Sequence, residues 1–249
     1  MQQAYRVLRV VAAAQTIRMV LMLRPNEIIL SELYTACTTL NSESSRGIKA
    51  VVLDFQPGTD PVSQKEATVA EAVLQQASTA VQTIAAPVLA VVRGNLSEAA
   101  STLMQVADLT LVAHNAILPI QTMAPTSGHD GQNRQRDHHQ PAHETLTGEQ
   151  ALRLGLINWS VPAHQIDSEM ERILDMLREQ SAIALRLVKA SVHQGASQQL
   201  ISGKEQAATR LAALDRVNEF YLNTVMQTAD ASEGLHAFLE KRKPQWQNK

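Results

Sequence analysis

The sequence predicts a layered α/β domain, and three observations predict it. Short apolar runs of strand length, such as IKAVVLDF (48–55) and PVLAVV (87–92), alternate with longer stretches of helical composition. Turn formers separate them, as in QPGTDP (56–61) and the glycine turn that opens RGNLSEAASTL (93–103). A chain of 249 residues, 45% of them hydrophobic, is long and apolar enough to bury a sizeable core. Only 3% of residues are aromatic, so that core must be aliphatic and rich in alanine.

In order along the chain, YRVLRVVA (5–12) and TIRMVLML (16–23) show partial alternation and read as strands. ELYTACTTL (32–40) reads as a helix with Ser31 as its N-cap. IKAVVLDF is the clearest buried strand, and QPGTDP after it is a loop. Residues 67–84 have the composition of a long helix, and Pro87 marks the start of the next strand. DLTLVA (108–113) and AILPI (116–120) read as two more strands. Residues 126–144 carry almost no large apolar side chain, so they predict a mobile surface loop. Beyond it the chain is mainly helical. Ile166, Met170, Ile173, Leu174 and Leu177 fall at helical spacing, 205–225 contains another long helix, and a last helix over 232–242 is stopped by Pro244.

Composition excludes several classes. A formal net charge of -2 and the lack of a dense basic run argue against nucleic acid as a partner. The single Cys37 allows no intramolecular disulfide and no Cys pair for a metal, and it reads as a small apolar residue on a helix face. Tyr5, Arg6, Arg9 and Arg18 break up the early apolar residues, which argues against a secretory leader. No uncharged apolar run approaches the roughly 18 residues of a membrane span. A soluble, cytoplasmic protein is expected. Residues 126–144 hold His129, His138, His139 and His143, and the last two have i,i+4 spacing. Pro141 between them opposes a regular helix, and no carboxylate or Cys completes a ligand set, so no metal site is expected.

Four segments, in order over residues 48–246, resemble the crotonase superfamily of enoyl-CoA hydratases and isomerases. These are IKAVVLDF; PVLAVVRGNLSEAASTLMQVADLTLVAHNAIL; LTGEQALRLGLINWSVP; and DASEGLHAFLEKRKPQW. The resemblance implies a spiral of ββα turns over residues 1–185 and a C-terminal helical trimerisation region over 186–249. It implies an acyl-thioester ligand, acyl-CoA or acyl-phosphopantetheine on a carrier protein, with no other cofactor. It also implies a homotrimer or hexamer. In such enzymes two backbone N–H groups polarise the thioester carbonyl, and hydratases add two carboxylates that move protons.

Residue by residue, the chemistry departs from that pattern. The family's three glycines fall on Glu98, Ala99 and Ala100, so Ala99 would supply an oxyanion N–H. The first catalytic Glu falls on Thr102, which is no general base near neutral pH without an activating neighbour. The second falls near Ile120. At the other oxyanion donor the chain has DFQPGTDP, where Pro57 has no N–H and Gly58, Thr59 and Asp60 are the candidates. Ordinary hydratase chemistry is therefore expected to be absent. Glu98 is a displaced acid/base, or else a carboxylate placed to favour a helix N-terminus. His114 past a strand end is a base, or merely hydrogen-bonded. Asp108 matches a structural aspartate. Lys241, Arg242, Lys243 and Trp246 correspond to a tail that lies near the CoA adenine and phosphates in the family, or else form a solvated helix end.

Three functions follow from these readings. One is a degenerate member that binds an acyl-thioester without hydrating it. Another is an active member of isomerase, decarboxylase or thioesterase type, using Ala99 with Glu98 or His114. The third is a non-catalytic subunit assembling with an active crotonase paralogue.

Overall fold

The computed structural model describes residues 6–13, 15–40, 47–57, 69–121, 143–196 and 215–248. Strand β1 (Arg9–Ala13) turns back antiparallel onto β2 (Thr16–Met22), through Gln15 at φ 64. From β2 onward the main sheet is parallel, running through β3 (Ala50–Gln56), β4 (Val88–Val92), β5 (Leu109–Ala113) and β8 (Trp159–Val161). Every residue of β4 is buried, as is every residue of β3 except Gln56. Covering on both faces is what an unbroken apolar run demands of a parallel strand.

Helices α1 (Glu27–Leu40), α2 (Glu71–Gln82) and α3 (Glu98–Gln105) make the successive crossovers. Helix α1 begins earlier than the sequence reading: Asn26 Oδ1 accepts the Ile29 N–H at 3.0 Å, so Asn26 is the cap and Ser31 lies inside the helix. The added turn lets Ile29 and Leu30 bury beside Leu33. Cys37 is fully buried on this helix, as expected.

Strand β6 (Ile117–Gln121) pairs antiparallel with β7 (His143–Thr147) in a separate two-stranded sheet. His143 and Glu144 therefore belong to a strand rather than to the polar loop. They pair with Gln121 and Ile120 through the backbone, and side-chain composition carries no trace of that. Residues 126–142, with His129, His138 and His139, lie outside the described residues.

Helix α4 (Gly148–Arg153) opens with a capping box between Thr147 and Gln150, and Gly148 meets the Ala113 carbonyl too closely for any side chain. Helix α5 (Ile166–Arg178) buries Ile166, Met170, Ile173 and Leu174, the predicted stripe, with Leu177 partly buried against the core. Helix α6 (Ala182–Ala196) is fastened by Lys189, whose Nζ lies 2.7 Å from Asp108 Oδ2 and 3.2 Å from the Ala86 carbonyl. Asp108 also accepts the Val88 N–H at 2.8 Å, which is the structural role expected of it.

Residues 215–220 are helical and run into the π-helical turn Tyr221–Val225; residues 205–214 lie outside the description. The last helix, α7 (Ala229–Leu239), starts three residues before the predicted helix because the Thr228 hydroxyl caps the Ala231 N–H at 3.1 Å. It ends at Leu239, ahead of Pro244, where Lys241 at φ 53 turns the chain away. No helix among the described residues is long and apolar enough to cross a membrane.

Candidate active site

The turn that opens α3 is held from several sides. Strand β4 ends at Val92, and the Arg93 N–H donates to the Phe55 carbonyl at the end of β3 (3.2 Å). The Ser97 N–H donates to the Leu23 carbonyl beyond β2, and Leu23 N–H in turn donates to Gln56 O, both at 3.0 Å. Ile117 is bonded to the turn twice: its carbonyl accepts the Leu96 N–H, and its own N–H donates to Asn95 Oδ1, each at 3.0 Å. At Gly94 a β-carbon would stand 2.9 Å from Leu23 Cδ1, so the turn packs closely on the Leu23 side chain just beyond β2. The exits of β2, β3 and β4 and the start of β6 are thus stitched around one helix N-terminus.

Ser97 caps α3 and accepts the Ala100 N–H on its hydroxyl at 3.3 Å. Ala99 is the second helical residue, with negative φ, so its β-carbon is no obstacle to the conformation. An amide there has no helical carbonyl behind it and stands at the electropositive end of the macrodipole. It is a competent donor to a carbonyl oxygen that gains negative charge.

The acid/base equipment is different. Thr102 spends its hydroxyl proton on the Glu98 carbonyl one turn back, at 3.0 Å. Glu98 is exposed in the first turn, where a carboxylate favours the dipole. His114 is half-buried past β5, with Nδ1 2.9 Å from Ser160 Oγ on β8, and its backbone bonds run to Val161 and Glu149. Those partners belong to β8 and α4. Ile120 lies in β6. Gly58, Thr59 and Asp60 lie outside the described residues.

The C-terminal group is anchored to its own fold. Trp246 Nε1 donates to the Glu179 carbonyl at 2.6 Å, its ring lies over Gly234, and it lines a cavity of about 270 Å³ with Ser181, Val225 and Leu235. Arg242 grips Glu233 with two bonds of 2.6 and 3.0 Å. Buried Asp230 accepts the Gln247 and Asn248 amides and the Ser181 hydroxyl, holding the tail down. Lys241 and Lys243 are exposed.

One polar assembly was not anticipated from the sequence. Asp54, fully buried in β3, accepts from Arg93 Nε (2.8 Å), Arg18 Nε (2.8 Å) and Nη2, and Gln56 Nε2 (2.6 Å). Arg93 continues to Asp167 on α5 with a forked pair of 2.6 and 3.2 Å. Burial would pull the Arg93 guanidinium below its ordinary pKa, but hydrogen bonds to Asp167 and Asp54 outweigh it and hold the group charged. The same bonds keep Asp167 below the usual carboxylate range, against a smaller effect of burial. The signal available in the sequence is a lone aspartate inside an otherwise apolar strand, which requires partners of opposite charge.

A parallel sheet crossed by α1, α2 and α3, with a helix N-terminus clasped at the strand exits, is the frame in which the candidate site sits. Residues 26–249 match the sequence model of the enoyl-CoA hydratase/isomerase family, and the chain belongs to that family. Its fold is similar to that of an enoyl-CoA hydratase from Mycobacterium smegmatis (21% identity, TM-score 0.68, 96% of this chain and 98% of that one). It is also similar to an enoyl-CoA hydratase from Bacillus anthracis (18% identity, TM-score 0.70, 97% and 99%). At these identities the likeness is one of fold. Mouse enoyl-CoA hydratase domain-containing protein 3, mitochondrial, is 33% identical over 103 residues, 41% of this chain and 31% of the relative. The matched stretch thus spans under a third of that protein's length.

Proposed function

We propose that the N-terminus of α3 receives the carbonyl of an acyl-thioester, and that the protein binds such a ligand without hydrating it. The Ala99 amide is the donor in this reading, and the ligand is acyl-CoA or an acyl-phosphopantetheine arm on a carrier protein. The observation that carries it is the pairing of a firmly held donor turn with a committed Thr102: the amide is presented, while the hydroxyl at the carboxylate position is bonded into the helix. Binding without acid/base chemistry needs the donor alone. Gly58, Thr59 and Asp60 are proposed as the second donor group, and Lys241, Lys243 and Trp246 as contacts to the adenine end of CoA.

Assembly belongs to the same reading. Leu235, Phe238 and Leu239 share one face of α7 and are 59%, 80% and 70% exposed in a single chain, which favours a homotrimer or hexamer built on residues 186–249. Pairing with an active crotonase paralogue is the alternative occupant of that face, and co-purification as a mixed oligomer would favour it. A cytoplasmic location completes the proposal, to be checked by fractionation.

Calorimetric titration with crotonyl-CoA, alongside an assay of its hydration, tests the reading. Heat of binding without turnover is expected. No heat at high protein concentration would overturn binding, and turnover at an ordinary family rate would overturn the loss of hydratase chemistry. Thr102→Glu puts a carboxylate back at the position the pattern requires. It is expected to raise hydration of crotonyl-CoA above the wild-type level if the donor turn is competent, by up to about 100-fold, the lower range for a positioned acid/base.

A further inference from the structure

The assembly on Asp54 costs stability that an apolar core would not, since buried ion pairs are often no better than well-packed hydrophobic replacements. Its geometry has a use that packing lacks. Asp54 stands in register with Val20 of β2 and Val91 of β4. Arg18 lies two residues before Val20 and Arg93 two residues after Val91, on the same face of the sheet as Asp54. The two guanidiniums therefore reach Asp54 from opposite diagonals, bracing β3 against both neighbours. Arg93 is also the first residue beyond β4 and the start of the turn that leads to α3.

We propose that Arg93 is the positioning residue for that turn, locking its departure angle through Asp54 on β3 and Asp167 on α5 so that the Ala99 amide is presented in a fixed direction. The inference takes the Ala99 amide from the reading above as its end point. Four bonds to three partners fix Arg93 at once: its N–H to Phe55 O (3.2 Å), its Nε to Asp54 (2.8 Å) and its fork to Asp167 (2.6 and 3.2 Å). A planar fork holding two carboxylates defines a direction that a lysine ammonium, a point charge on a flexible stem, does not. Asp167 is the second residue of α5, so the fork also refers the turn to a helix start where a carboxylate is favoured. Beyond Arg93, Gly94 against Leu23 and the Ser97–Leu23 bond carry that orientation into the helix cap.

Amide hydrogen exchange on the full chain tests this, with Asp167→Asn and Arg93→Lys as the variants. The Asp167 side chain is 71% exposed, so its substitution leaves the core intact, and it decides the matter if Arg93→Lys fails to fold. Both variants are expected to speed exchange about tenfold at the bonded amides within 94–101, those of Leu96, Ser97, Ala100 and Ser101, the size of losing one charge-assisted bond, with rates in β2 and β5 unchanged. Crotonyl-CoA affinity is expected to fall by a similar factor in both, the charge-conserving Arg93→Lys included. Unchanged exchange over 94–101, or acceleration spread evenly across the sheet, would overturn the proposal. If the wild type binds no crotonyl-CoA, the ligand reading fails, while the local exchange result still decides the role of Arg93.

Discussion

At the scale of single residues, buried charge and buried sulfur make opposite demands. Asp54 is fully buried, and its removal leaves Arg93, 17% exposed, facing a site with no carboxylate at its base. Breaking a buried pair from one side costs about 3–5 kcal/mol, and because Arg18 is 34% exposed the low end, about 3 kcal/mol, is expected for Asp54→Ala in urea unfolding. A loss under about 1 kcal/mol would mean the assembly is solvated in solution. Cys37 is the contrary case. Burial pushes its thiol up to about 12, against a smaller opposing effect of Lys189, so the native protein should resist iodoacetamide at pH 8 and react once unfolded. Labelling of the folded chain at the rate of a free thiol would refute that. The sequence alone placed Cys37 correctly, because an apolar helix face is a local pattern; it offered Asp54 only as an anomaly in an apolar run, with no means of choosing its partners.

Elements depend on their ends. Ser97 caps the helix that carries Ala99, and Ser97→Ala should cost about 1 kcal/mol in thermal unfolding, with α3 fraying first. The C-terminal tail hangs on a carboxylate instead. Bonds from Arg242, then from the Gln245 amide, lower Glu233 to about 2, whereas an unfolded glutamate titrates near 4.3. A depressed carboxylate stabilises fully above its unfolded pKa and ceases to as pH falls through its folded one. Trp246 fluorescence in a Trp159→Phe background should therefore report loosening of the tail between about pH 4.3 and 2. Glu233→Gln should show a loosened tail already at pH 7, and an unchanged acid profile would sink this account. Element boundaries also mark the limit of local reading. Periodicity locates α5 and its buried stripe, yet the side-chain caps at Asn26 and Thr228 and the backbone pairing of His143 in β7 are invisible to it, because hydrogen bonds leave no apolar period behind.

On the scale of the whole molecule, the exposed apolar face of α7 gives the assembly reading a direct consequence. The wild type should sediment as an oligomer, and Phe238→Asp with Leu239→Asp should shift it toward monomer while its far-ultraviolet circular dichroism is kept. A monomeric wild type at tens of micromolar would remove the case for residues 186–249 as an assembly region. The candidate site divides along the same line as the fold. The sequence by itself determined the order of strands β1 to β6, the apolar stripe of α5, the family to which the chain belongs, and the replacement of glycines and a glutamate by Glu98, Ala99, Ala100 and Thr102. Those are properties of neighbouring residues and of spacing along one chain. Only the tertiary structure decided that His114, past β5, meets Ser160 of β8, and that Arg93 joins Asp54 and Asp167, 39 and 74 residues away. Which charges meet depends on strand register and on where a distant helix lands, and both are settled by burial of the whole core, not by any window of the sequence.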